Sequence, residues 1–180
     1  SSRKPFCVSF PGGAMIDLDA LGARVRAAIP LTAHLDFQFT DFNGEQLTLT
    51  APLGPNHNDK GTFFAGSQAT LLTLAGWACT TLMADSAAAD AAAADAAAAD
   101  AEARVDVVAV ESSLQFRAPL NGDIKIRACA DDGESGRFHQ RLKRRGKATL
   151  RVLAQATDAQ GLLVCEYQGL YLARTHNNDT

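Results

Sequence analysis

Apolar residues recur at Leu18, Leu21, Val25 and Ile29, the spacing of one helical face, with mostly polar or small residues between them. Asp17 precedes the run as an N-cap and Pro30 closes it, so the pattern predicts a short amphipathic helix over 17–29. From Leu35 the period changes to two. Leu35, Phe37 and Phe39 alternate with Asp36, Gln38 and Thr40, and Leu47, Leu49 and Ala51 alternate with Gln46, Thr48 and Thr50. Asn43-Gly44 separates the two runs, which together read as a β-hairpin.

A polar, glycine-containing loop, NHNDKGTFFAGS at 56–67, then leads into a stretch over about 66–84 that is apolar or small on nearly every face. Such a stretch predicts a helix buried all round. Gly66, Ser67, Ala69, Ala75, Gly76 and Ala78 are small enough to let a sheet approach its axis. Residues 85–103 are low-complexity, with Asp85, Asp90, Asp95 and Asp100 spaced evenly in alanine. A five-residue step turns a helix by about 140°, so the aspartates share no face. The segment reads as a solvated helical or mobile insertion with no function of its own.

Beyond the insertion the chain is mostly strand, over 104–118, 122–130, 148–157 and 162–173, with Asn121-Gly122 and Gln160-Gly161 as turns. Residues 134–147 interrupt this run. They contain no β-branched residue, place Phe138 and Leu142 one helical turn apart, and end at Gly146, which predicts a short surface helix. A helix that is apolar all round needs a sheet that curls about it. The predicted class is therefore α+β: a curved antiparallel sheet wrapped around a long central helix, in one domain over 15–174 that follows an N-terminal tail, 1–14.

Composition narrows the chemistry. At 180 residues and 47 % hydrophobic, the chain is long enough for one sizeable core. A net charge of −3 lacks the basic footprint that nucleic acid demands. Cys7, Cys79, Cys129 and Cys165 are scattered without a C-x-x-C pair, and His34, His57, His139 and His176 have no metal-ligand spacing. Reduced thiols, no metal and no cofactor are expected. The first residues lack the apolar core of a signal peptide, and no run is long enough to span a membrane, so a cytoplasmic protein without a membrane partner is expected.

The segment Ala51-Pro52-Leu53, Asn56, Asp59-Lys60-Gly61-Thr62, Phe64-Ala65-Gly66-Ser67 and Leu74-Ala75-Gly76-Trp77, with the later Arg144-Arg145-Gly146-Lys147-Ala148, resembles the thioesterase family of the YiiD C-terminal-domain type. The likeness covers roughly residues 15–174. It implies a hot-dog fold, a homodimer or dimer of dimers, and thioester hydrolysis at the subunit interface, with acyl-CoA or an acyl-carrier protein as substrate and CoA only as part of it. In hot-dog thioesterases of the phenylacetyl-CoA type, the central helix carries an acidic residue where this chain has Thr73. A histidine often stands where it has Phe64.

Thioester hydrolysis needs an oxyanion stabiliser and a group that delivers water. The backbone N–H groups of Ala65, Gly66 and Ser67, at the positive end of the central helix, are candidates for the first, with Phe64 beside them as a substrate contact. Asp59 is the nearest carboxylate and the candidate base, and Asn56 could orient water or thioester. Both residue types also favour turns. His57 is a lesser candidate. Thr70 and Thr73 could bind substrate, although helix hydroxyls often bond back to their own carbonyls. Arg144 and Arg145 belong to a basic cluster that could hold CoA phosphates or an acidic carrier helix, or be an ordinary solvated face. A non-catalytic acyl-CoA-binding module and a hot-dog hydratase or dehydratase are the competing readings.

Overall fold

The computed structural model describes residues 8–9, 15–94 and 104–176. Two short strands, β1 (Val8–Ser9) and β2 (Met15–Ile16), pair antiparallel ahead of α1 (Leu18–Ala28). Asp17 caps α1 as predicted, its Oδ1 accepting from the Ala20 N–H at 3.0 Å. A 3₁₀ turn at Pro30–His34 follows. Leu35 and Phe37 are buried but precede the strand, because Asp36 adopts φ 51° and breaks the extended run. The hairpin is β3 (Gln38–Phe42) and β4 (Gln46–Ala51), and Gly44 takes the positive φ its turn requires.

The central helix α2 (Ala65–Ala94) precedes β5 (Arg104–Phe116), β6 (Ile124–Ala130), α3 (Glu134–Arg145), β7 (Lys147–Thr157) and β8 (Leu163–His176). Six strands form one antiparallel sheet in the order β3-β4-β6-β7-β8-β5. Leu71, Leu72, Ala75, Ala78 and Cys79 of α2 are fully buried against Leu47, Leu49, Ile126, Val152 and Tyr171 of the strands in one continuous core. A long helix held in a curved antiparallel sheet is the hot-dog arrangement. Close approach of helix to sheet depends on Gly76, where a Cβ would collide with the Tyr171 ring.

The expectation for the alanine-aspartate segment needs correction. Residues 85–94 continue α2 without a break, and Ala87 is fully buried in the core, so the first turn of that segment belongs to the fold. Residues 95–103 lie outside the described residues, as does most of the expected N-terminal tail. The surface helix matches its prediction closely: Phe138 and Leu142 are buried, and Gly146 ends α3 at φ 66° with its N–H donating to Leu142 O. Among the described residues, no helix is long and apolar enough to cross a membrane.

Candidate active site at the start of the central helix

The loop before α2 is built by two asparagines. Asn56 is 1 % exposed; its Nδ2 donates to Leu35 O at 2.9 Å and Pro52 O at 2.8 Å, and its backbone O accepts from the Phe64 N–H at 2.7 Å. It thus ties the loop to the segment before β3 and to the start of α2. With Nδ2 committed, only its Oδ1, buried and without a partner among the described residues, is left to act on anything else. Asn58 closes the next turn. Its Oδ1 accepts from the N–H groups of Lys60 and Thr62 at 2.9 and 3.1 Å, Nδ2 donates to Thr62 Oγ1 at 2.8 Å, and Gly61 supplies φ 76°.

This turn holds Asp59 and Lys60 at its tip. Their side chains are exposed, and Lys60 Nζ donates to both Asp59 carboxylate oxygens, at 3.1 and 3.2 Å. Phe63 is buried and its N–H bonds to Leu120 O at 2.8 Å, which anchors the last residues before the helix. His57, Asn58, Asp59, Lys60, Phe64 and Ala65 surround an open cavity of about 680 Å³. The structure therefore brings Asp59, His57, Phe64 and the start of α2 to one place.

At that helix start the backbone donors are free. Phe64 O accepts from the Gln68 N–H at 3.0 Å, but a phenylalanine side chain has no acceptor with which to cap the turn. The N–H groups of Ala65, Gly66 and Ser67 have no acceptor among the described residues. Three unpaired donors and the positive end of a long helix dipole favour an oxygen that carries or develops negative charge. The Phe64 ring lies over Gly66, where a Cβ would collide with it, yet the ring is 52 % exposed and can swing away.

Thr70 and Thr73 donate to Gly66 O and Ala69 O, at 2.9 and 2.8 Å, so their hydroxyls retain acceptor capacity only. Both remain half-buried, on the same helical stripe as Gly66 and Trp77. Trp77 Nε1 donates to Val107 O on β5 at 3.0 Å. Arg144 and Arg145 are not at this site. They lie on α3, which follows the end of β6 that pairs with the start of β4, whereas the loop and α2 start beside the other end.

Sequence reasoning passed over Gln68. It is 4 % exposed, Nε2 donates to Phe63 O at 3.3 Å, and Oε1 is buried without a partner among the described residues. A glutamine inside an otherwise apolar or small stretch was the available signal. Asn58 and Lys60 were likewise passed over because their residue types are ordinary in turns.

The profile of the family described as "Putative thioesterase (yiiD_Cterm)" matches residues 18–175. The chain belongs to this family. Among solved structures, this thioesterase-family chain is similar to a Shewanella oneidensis "putative thioesterase" at 24 % identity and TM-score 0.72, with 87 % of this chain and 96 % of that one covered. A Pseudomonas aeruginosa protein of unknown function described as a "probable thioesterase" matches at 25 % identity and TM-score 0.65, covering 88 % and 96 %. A Haemophilus influenzae thioesterase shares the fold at 13 % identity and TM-score 0.64, covering 93 % and 95 %. No curated protein matches the chain.

Proposed function

We propose that the protein hydrolyses acyl thioesters, carried on CoA or on a carrier protein, at the N-terminus of α2. The observation that carries this reading is the set of three unpaired N–H groups at Ala65, Gly66 and Ser67, which open beside a cavity that Asp59 also lines. The thioester carbonyl accepts from these donors once the Phe64 ring has swung off Gly66, and they strengthen their hold as the oxygen gains charge in the tetrahedral state. Asp59 takes a proton from water as its oxygen bonds to the carbonyl carbon; the C–S bond then breaks, and the sulfur leaves as a thiol with the proton that Asp59 returns, leaving the carboxylic acid. Asn56 serves this step by fixing the loop, and Thr70 and Thr73 line the substrate's path with acceptor oxygens.

A second copy of the chain completes the site in this proposal. The stripe Gly66, Thr70, Thr73, Trp77 is only half covered, and the adjoining β5 is a 13-residue edge strand with Val108, Val110 and Phe116 exposed. An edge this long and apolar invites pairing, and a two-fold axis would make that pairing antiparallel. Light scattering should return a dimer or a larger even assembly, and a stable monomer at micromolar concentration would overturn this part.

Asp59→Asn tests the chemistry. It should leave acyl-CoA binding intact and lower kcat roughly 10²–10⁴-fold, the range for loss of a general base. Full turnover by the variant would remove Asp59 from the mechanism. The reading as a binding module draws on the ion pair of Asp59 with Lys60, which occupies the only carboxylate that lines the cavity among the described residues. Acyl-CoA binding without thiol release by the unmodified protein would establish it.

A further inference from the structure

Four arginines gather on one surface of α3. Arg137, Arg141, Arg144 and Arg145, with Gln140, surround a concavity of about 190 Å³. All four are exposed, and among the described residues none of their guanidinium groups has an ion-pair or hydrogen-bond partner. In a chain of net charge −3 this concentration needs a cause. The helix dipole accounts for Arg144 and Arg145, which lie in the last turn, where cations are favourable. It does not account for Arg137, near the first turn, nor for Arg141. Pairs at i,i+4, Arg137 with Arg141 and Arg141 with Arg145, repel one another and cost helix stability. A polyanion seated in the concavity removes that repulsion, and guanidinium forks match phosphate oxygens two at a time.

The groove also lies at a suggestive place. Cys79, fourteen residues along α2 and so ~21 Å from Ala65 at the rise of an α-helix, has its Sγ 3.8 Å from Glu45 O. Glu45 adjoins Gln46, which pairs with Cys129, and α3 begins just beyond. The arginine groove is therefore at the opposite end of the sheet from the unpaired donors, the end toward which the half-covered stripe of α2 runs. It cannot be part of the same cavity.

We propose that this groove binds the phosphate groups of the CoA carrier while the thioester lies at the start of α2, in the same protomer or in the second copy. The assignment rests on the hydrolase reading above. It selects CoA over an acidic carrier protein because the concavity is too small for a docking surface yet suits a phosphate or diphosphate, with the nucleoside outside it.

The test uses the full chain and a triple variant, Arg141→Gln, Arg144→Gln and Arg145→Gln. Glutamine keeps good helix propensity, so the melting temperature should hold or rise as repulsion is relieved. If it falls, the single variant Arg137→Gln takes its place. Calorimetry with inorganic pyrophosphate and with CoA should show binding to the unmodified protein and at least about tenfold weaker binding to the variant. KM for acyl-CoA should rise about as much with kcat unchanged, the mark of lost uniform binding. Turnover of acyl-pantetheine, which has no phosphate, should not change.

Equal binding of pyrophosphate by both proteins, or an equal KM rise for acyl-pantetheine, would overturn the assignment. So would an arginine-dependent KM seen only with acyl-carrier protein, which would make the surface a protein dock. If CoA binding depends on the arginines and no thioester is hydrolysed, the groove stands and the hydrolase reading falls.

Discussion

The two halves of the buried part of α2 differ in what surrounds them. From Gly66 to Trp77 one stripe is half-buried and carries a glycine, two threonines and a tryptophan, while Ala78 through Ala84 is buried on every side. In the first half the ring that overlies the glycine is Phe64, half-exposed and free to move. At Gly76, where the closed half begins and the helix turns its buried face to the sheet, it is Tyr171, fully buried, whose Oη donates to Thr73 O at 2.8 Å and lies 2.6 Å from Tyr167 Oη. One glycine is covered by something that can leave, the other by something that cannot. The difference separates a place where a substrate can enter from one where only packing is possible.

Substitution at the first glycine should produce the largest effect on turnover. Gly66→Val places a branched side chain where the Phe64 ring lies and where a thioester carbonyl must approach, so kcat/KM should fall about 10²-fold or more, the scale of losing an oxyanion donor. Stability should change little, because Phe64 can swing outward. A variant that keeps full activity would show that the donors at the start of α2 are not the site.

Gly76→Ala should do the reverse. A Cβ there meets the Tyr171 ring, which is pinned by its hydrogen bonds and by close contact with Gly169. Overpacking of this kind costs about 1–3 kcal/mol. Urea unfolding should show that loss, and turnover per folded molecule should be nearly unchanged. Loss of activity without loss of stability would erase the contrast between the two glycines.

Much of this was legible in the sequence, for identifiable reasons. Asp17, Pro30 and Gly146 mark helix ends through their own backbone chemistry, so those boundaries could be placed locally. The strands after 104 follow from alternation and turn pairs. Asn56 was harder, because its fixed position depends on Leu35 O, a backbone atom twenty-one residues away, while the local sequence reads only as a turn. The stacking of Phe64 over Gly66 also depends on a side-chain orientation that no spacing encodes. In the alanine-aspartate segment, the even spacing of the aspartates obscured the simpler fact that Ala87 continues the buried face of α2. On β5 the alternation called for Val105, Val107 and Val110 to face inward, yet a register shift between Ala109 and Glu111 interrupts the alternation and Val110 is exposed.

The smallest expected effect is a pH dependence to which the closed half of the helix contributes. Burial pushes the Cys79 thiol from its ordinary 9.0 up to about 12, with Cys129 adding to the shift. Because the folded value is raised, the contribution to stability is fully present below pH 9. It is lost as pH rises from there toward 12, since the unfolded chain ionises the thiol and the folded chain resists doing so. The slope for one such group is at most about 1.4 kcal/mol per pH unit. Tyr171, Cys129 and Cys165 are shifted upward as well and act in the same direction, so replacing Cys79 should reduce the alkaline loss without abolishing it. Unfolding free energies of the unmodified protein and of Cys79→Ala, measured at about pH 8 and about pH 10.5, on either side of the ordinary thiol value, give the comparison. The variant should be less stable at the lower pH by about 1 kcal/mol through its lost packing. That deficit should shrink or reverse at the higher pH. A deficit that stays constant would mean that the thiol ionises as easily in the folded chain as in the unfolded one, and that this half of α2 is as open to water as the half that begins at Gly66.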